Sequence, residues 1–169
     1  YEKAIKYASL EDFESFLIWN ELDREPQARF YQPRMKQLKP IVKILQKCVD
    51  GEVDEVFLSQ PPRTGKTTLV QLFLVWFSSR FPEKANLYVS FAQGVVDTFL
   101  DGCTEFLTDP TYRLHTLFPK SELIYTNKQN GLLDLGRHKR YKSITARSLY
   151  GSLNGSCDCN GLLIGDDLL

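Results

Sequence analysis

The chain has 169 residues, 43% hydrophobic and 25% charged, with 21 Lys+Arg balanced by 21 Asp+Glu. This composition excludes a disordered or fibrous chain and fits one globular domain with a proper core. Zero net charge excludes a global electrostatic pull toward nucleic acid, so any such contact must come from a local patch.

In chain order, the opening YEKAIKYASLEDFE is polar and charged, unlike a signal peptide, and it lacks Met, as expected of a piece cut from a longer protein. Residues 10–22 read as a first helix with Ser9 as its cap and Asp12 in the capping-box position. Its apolar face is Phe13, Phe16, Leu17, Ile18 and Trp19. Glu25-Pro26 and Tyr31-Gln32-Pro33 punctuate the next stretch. Met35, Leu38, Ile41, Val42, Leu45 and Val49 then fall at helical spacing, opposite a row of lysines that reads as a solvated face. Gln32 and Gln37 stand one helix upstream of the central motif. An amide both donates and accepts, so either suits the edge of an adenine.

The central motif is VDEVFLSQPPRTGKTTLVQLFL, residues 53–74. Val53, Val56, Phe57 and Leu58 predict a short strand. Gln60-Pro61-Pro62-Arg63-Thr64-Gly65-Lys66-Thr67-Thr68 predicts a loop, and the apolar run from Leu69 to Trp76 predicts a buried helix. Strand, loop, Gly-Lys-Thr and helix is the layout of a phosphate-binding (Walker A) loop. In it Lys66 reaches the β- and γ-phosphates of ATP and the Thr67 hydroxyl holds Mg²⁺. The pattern departs from G-x-x-x-x-G-K-[ST] at its first position, which is Gln60.

Phe81-Pro82 ends that helix, residues 86–91 read as a buried strand, and residues 93–107 as a helix closed by Asp109-Pro110. A short helix is expected near Tyr112 to Leu117. From Ser121 the texture changes to three short strand-like runs, 122–126, 131–136 and 142–147, read as an antiparallel meander. Arg137-His138-Lys139-Arg140 lies at one of its turns; it is the best local patch for a phosphate backbone, against the commoner reading of a solvated hairpin tip. Gly151-Ser152-Leu153-Asn154-Gly155-Ser156 is a small-residue loop that either approaches the nucleotide or merely turns the chain. Leu162-Leu163-Ile164-Gly165-Asp166-Asp167 is an apolar strand ending in two carboxylates (Walker B). Asp166 is placed to hold Mg²⁺ and Asp167 to orient the attacking water. The longest apolar stretch, residues 69–77, is far too short to span a membrane. Cys48, Cys103, Cys157 and Cys159 make no secreted disulfide framework; Cys157-Asp158-Cys159 lacks the second pair a zinc site needs, and free thiols in a reducing compartment are the reading adopted.

Phe30-Tyr31-Gln32-Pro33-Arg34, Pro61-Pro62-Arg63-Thr64-Gly65-Lys66-Thr67, the loop from Arg147 through Gly155, and Leu163-Ile164-Gly165-Asp166-Asp167-Leu168 together resemble the ATPase domain of large terminase subunits. These are the DNA-packaging motors of tailed bacteriophages and prophages. The resemblance runs from about Phe30 to Leu169. It implies a single α/β domain of the RecA-like (ASCE) phosphate-loop NTPase class: a mostly parallel sheet flanked by helices, with the antiparallel β insertion before the Walker B strand. It implies ATP hydrolysis with Mg²⁺, coupled to pumping double-stranded DNA into a procapsid in the cytoplasm of a bacterial host. Implied partners are a portal protein, a small terminase subunit and further copies in a ring, with no membrane. By position Lys66, Thr67 and Asp166 match the family's lysine, metal hydroxyl and metal acid, and Arg63 resembles an arginine that senses the γ-phosphate. Asp167 stands where many members have Glu. The family further implies that the strand between the Asp-Asp strand and the phosphate-loop strand, and a nuclease domain, lie beyond Leu169, so that the sheet here is expected to be gapped. A helicase-like motor, a small kinase and a nucleotide-binding module without turnover are the alternatives.

Overall fold

The computed structural model describes residues 1–151 and 158–168. Two short helices open the chain, α1 (Glu2–Ala8) and α2 (Phe13–Asn20), followed by a 3-10 turn at Pro26–Ala28 and the long α3 (Tyr31–Val49). The cap of α2 is Asp12, whose side chain accepts from Ser15 N. Ser9, expected in that role, instead closes α1 and donates its hydroxyl to Ile5 O. Two consecutive helices compete for the same few residues, and the carboxylate nearer the second one caps it.

α3 begins at Tyr31, earlier than the Tyr31-Gln32-Pro33 punctuation implied, and it holds Pro33 in its first turn. A first-turn N–H has no intrahelical acceptor, so a proline there costs no bond. The free Tyr31 N–H is met from a distance by Glu21, at 2.8 Å. Burial pushes the Glu21 carboxyl up, and the bonds from Tyr31 and Phe30 N–H pull it partly back.

α4 (Lys66–Arg80) is the centre of the core. Every residue from Leu69 to Ser79 is buried, as a helix apolar on all sides requires. Trp76 packs against Phe13 and Phe16 of α2, with ring centroids 5.3 and 6.2 Å away, and its indole N–H donates to Ser9 O. Beyond it come β1 (Asn86–Ser90), α5 (Gln93–Thr108), α6 (Leu114–Leu117), β2 (Leu123–Asn127), β3 (Leu132–Leu135), β4 (Ile144–Ser148) and β5 (Leu163–Asp166).

The strands form one five-stranded sheet in the order β2-β3-β4-β1-β5. β1 pairs in parallel with β4 and β5; β3 pairs antiparallel with β2 and β4. The sheet is therefore mixed rather than mostly parallel, and the expected antiparallel meander, β2-β3-β4, precedes β5 in the chain and is part of this same sheet. Asn86 and Tyr88 point to the helical face. Asn86 Nδ2 donates to Ser78 Oγ of α4, and the Tyr88 ring stacks on Phe99 of α5.

Residues 53–58, expected as the strand before the phosphate loop, join no strand. β5 is an edge strand among the described residues, and residues 53–58 do not pair with its open side. Leu58 packs partly on the core while Phe57 is 93% exposed. Among the described residues no helix is long and apolar enough to cross a membrane.

Candidate functional site

Because β1, β4 and β5 run parallel, their carboxyl ends converge on one edge of the sheet. Ligands of open α/β sheets bind outside such ends. Asp166 closes β5 there, opposite Ser90 of β1, and the N-terminus of α4 arrives at the same edge.

Gly65 caps α4 with a left-handed φ of 91°, which a side chain would strain. A Cβ there would also lie 2.8 Å from Phe30 Cε2. No side chain caps this helix start and its first turn holds no acid. Its free N–H groups and the positive end of its dipole are thus unneutralised. Thr67 and Thr68 are half-buried in that first turn. Upstream, Thr64 Oγ1 donates to Pro61 O (3.0 Å), with Gln60 Oε1 as a second acceptor at 3.1 Å. Gln60, the departure from the glycine pattern, ties the loop to itself across Pro61-Pro62.

Lys66 Nζ stands 2.9 Å from Asp166 Oδ1 and 3.1 Å from Asp167 Oδ1, joining residues 101 positions apart in the latter pair. The bond to Asp166 raises the lysine pKa against the opposing effect of desolvation, with Asp167 adding to the rise. Asp166 is 6% exposed and Asp167 69%. One carboxylate is therefore sheltered and the other open to water. The free oxygen of Asp166, Oδ2, accepts from the Tyr88 hydroxyl at 3.3 Å. Burial pushes the Tyr88 phenol up, and the negative charge of Asp166 adds to it, so it remains a donor.

Among the described residues, Arg63 (φ 63°) and Asp167 (φ 46°) are the two non-glycine residues with positive φ. Each such residue costs about 1–2 kcal/mol. Strained backbone of this kind gathers at functional sites, and here it stands in the loop before Lys66 and in the residue Lys66 reaches.

A lysine held by two carboxylates brings one anion-binding group against two cation-binding groups. No group of three or more His, Cys, Asp or Glu side chains gathers among the described residues. Mg²⁺ suits that donor set, because it is bound through one or two carboxylates and completes its shell with water and substrate phosphates.

Both glutamines are exposed, and among the described residues no hydrogen bond joins either to Lys66. Gln32 Oε1 accepts from Arg29 at 2.7 Å, and Gln37 is exposed on α3. The residues of this stretch that do touch the loop are Phe30 and Arg34. The Phe30 ring covers Gly65, and the Arg34 guanidinium lies 5.2 Å from that ring and donates to Phe30 O. Their i, i+4 spacing is visible in the sequence once the helix is known to start at Tyr31; their contact with Gly65 is not. The loop at 152–157, with Cys157, lies outside the described residues. Cys103 is buried, and burial raises its thiol pKa. Comparison with protein-family models, curated proteins and solved structures returned no match, so the chemistry rests on this geometry.

Proposed function

We propose that the chain is the ATPase domain of a large terminase subunit, hydrolysing Mg·ATP to drive double-stranded DNA into a procapsid. The observation that carries this reading is Lys66 Nζ between Asp166 and Asp167, at a free helix start on the carboxyl edge of parallel strands.

In this reading the N–H groups from Gly65 through Thr68 cradle phosphate oxygens, and Lys66 leaves its carboxylates to pair with the β- and γ-phosphates. Asp166 and the Thr67 hydroxyl would hold Mg²⁺, which would neutralise developing charge on the phosphates. Asp167, open to solvent, orients the attacking water. Its carboxylate is one methylene shorter than the Glu found in many terminases, which favours a bridging water. Arg63 faces the γ-phosphate, and Gln37, or Gln32 once released from Arg29, reads the adenine edge. Portal protein, small subunit and sister copies are the expected partners in the bacterial cytoplasm.

One observation favours a second reading, a nucleotide-binding module without turnover: residues 53–58 anchor the loop to no strand. Mg·ATP hydrolysis with and without double-stranded DNA, beside Lys66→Ala and Asp167→Asn, separates the two. DNA-stimulated turnover lost in both variants supports the motor. ATP binding without turnover supports the module. Absence of both binding and turnover sinks the phosphate-loop reading.

A further inference from the structure

The opposite end of the sheet carries a second device. The loop between β3 and β4 precedes β4, so it lies at the amino ends of the parallel strands, away from Asp166. It contains Arg137, His138, Lys139, Arg140 and Lys142.

These basic residues do not behave alike. Asp134 on β3 is fully buried, and the loop closes on its carboxylate. Lys139 Nζ is 2.7 Å from Oδ1 and Lys142 Nζ 3.2 Å from Oδ2. Lys139 N donates to Oδ2 at 3.0 Å, and Ser143 N and Oγ lie 3.3 Å from Oδ1. The same ammoniums tie the loop's carbonyls: Lys139 Nζ donates to Leu135 O and Arg137 O, and Lys142 Nζ to Lys139 O. Two cations are thereby turned inward and committed to the loop's shape. Arg137, His138 and Arg140 are left exposed on a backbone that is already fixed. A loop ordered before binding loses less entropy when it meets its partner.

We propose that the Asp134-clamped β3–β4 loop is a docking surface for the phosphate backbone of double-stranded DNA, contacted by Arg137 and Arg140. Guanidinium groups pair with phosphate oxygens in bidentate fashion. On a chain of zero net charge, such attraction must be concentrated locally. The choice of duplex DNA as the polyanion rests on the motor reading above; the surface itself rests on Asp134 and the two arginines.

The test is binding of a labelled DNA duplex by fluorescence anisotropy across a salt series, without nucleotide. Arg137→Gln/Arg140→Gln should weaken binding at low salt and reduce the slope of log K against log salt by about 2, roughly 0.9 per lost phosphate contact. Asp134→Asn is the sharper variant, because it adds one positive charge. Simple attraction requires it to bind more tightly, whereas a clamped loop requires weaker binding. If Asp134→Asn does not fold, the double-arginine variant decides alone. Affinity and slope unchanged in that variant overturn the proposal, and so does tighter binding by folded Asp134→Asn. DNA binding that depends on the arginines in a chain that never hydrolyses ATP would keep the surface and discard the motor. Unaltered basal hydrolysis with arginine-independent DNA binding would do the reverse.

Discussion

The Tyr88 hydroxyl donates to Asp166 Oδ2 while Lys66 holds Oδ1, so both oxygens of the sheltered acid are engaged from opposite sides. Tyr88 is fully buried and stacked on Phe99, which leaves its ring little freedom to turn away. In the proposed mechanism Lys66 turns to phosphate, and Tyr88 would then be the group that keeps Asp166 aimed. We expect Tyr88→Phe to raise the Mg²⁺ concentration for half-maximal hydrolysis several-fold while leaving metal-free ATP affinity unchanged. The stability cost should be about 1 kcal/mol, the net worth of one hydrogen bond. Titration of Mg²⁺ at saturating ATP, with nucleotide binding in EDTA alongside, measures both; equal loss in the two would show that Tyr88 merely supports the fold.

Removing Lys66 leaves Asp166 buried without its cation. The lysine is a quarter exposed and Asp167 is open, so solvent screens part of the interaction, and Lys66→Met should cost about 1–2 kcal/mol, below the cost of breaking a fully buried pair. The folded-state pKa of Lys66 is raised. Its contribution is therefore complete below the unfolded value of about 10.4 and is lost as pH rises through the higher folded value. Urea unfolding of wild type and Lys66→Met should show a constant gap from about pH 6 to 9 that narrows above about pH 10.5.

Gly65→Ala meets two obstacles, a φ of 91° and a Phe30 ring carbon 2.8 Å from the new methyl. We expect a loss of about 1–3 kcal/mol. Adding Phe30→Leu should recover the steric share and leave the conformational share. A double-mutant cycle read by urea unfolding separates them; full additivity would show that the ring yields freely.

Asp134 titrates in the other direction. Burial alone would raise its pKa, but the hydrogen bonds from Lys139 and Lys142 and the Lys139 charge outweigh burial and lower it. A depressed carboxylate contributes stability above its unfolded pKa and loses it as pH falls through the folded one. The window lies below about pH 4. Asp134→Asn should be clearly less stable than wild type at neutral pH, with the difference shrinking as acid protonates the wild-type carboxyl. A difference that stayed constant down to about pH 2 would mean that the lysines do not hold the charge.

Much of this chain could be read from its residues because the governing interactions are local. The apolar run from Leu69, broken by Gln71, announced α4, the three strand-like runs after Ser121 announced β2, β3 and β4, and Asp109-Pro110 marked the end of α5. Where neighbours in sequence compete, reading failed. Ser9 and Asp12 both have the chemistry of a cap, and the start of α3 depended on Glu21, ten residues away. Residues 53–58 have strand-like side chains, yet a strand exists only where it pairs with another, and that pairing is not written in side-chain periodicity.

The site divides along the same line. Gly65-Lys66-Thr67 and Asp166-Asp167 stand out by residue type and spacing, so the expectation that the two segments share one site could be drawn from the chain itself. Their meeting at 2.9 and 3.1 Å was decided by the parallel register of β1 with β5 and the position of α4 on the helical face. So were the Tyr88 bond to Asp166, the Phe30 lid on Gly65 and the inward turn of Lys139 and Lys142 onto Asp134. Each joins side chains whose approach depends on packing between elements, and packing is a property of the whole core rather than of any one segment.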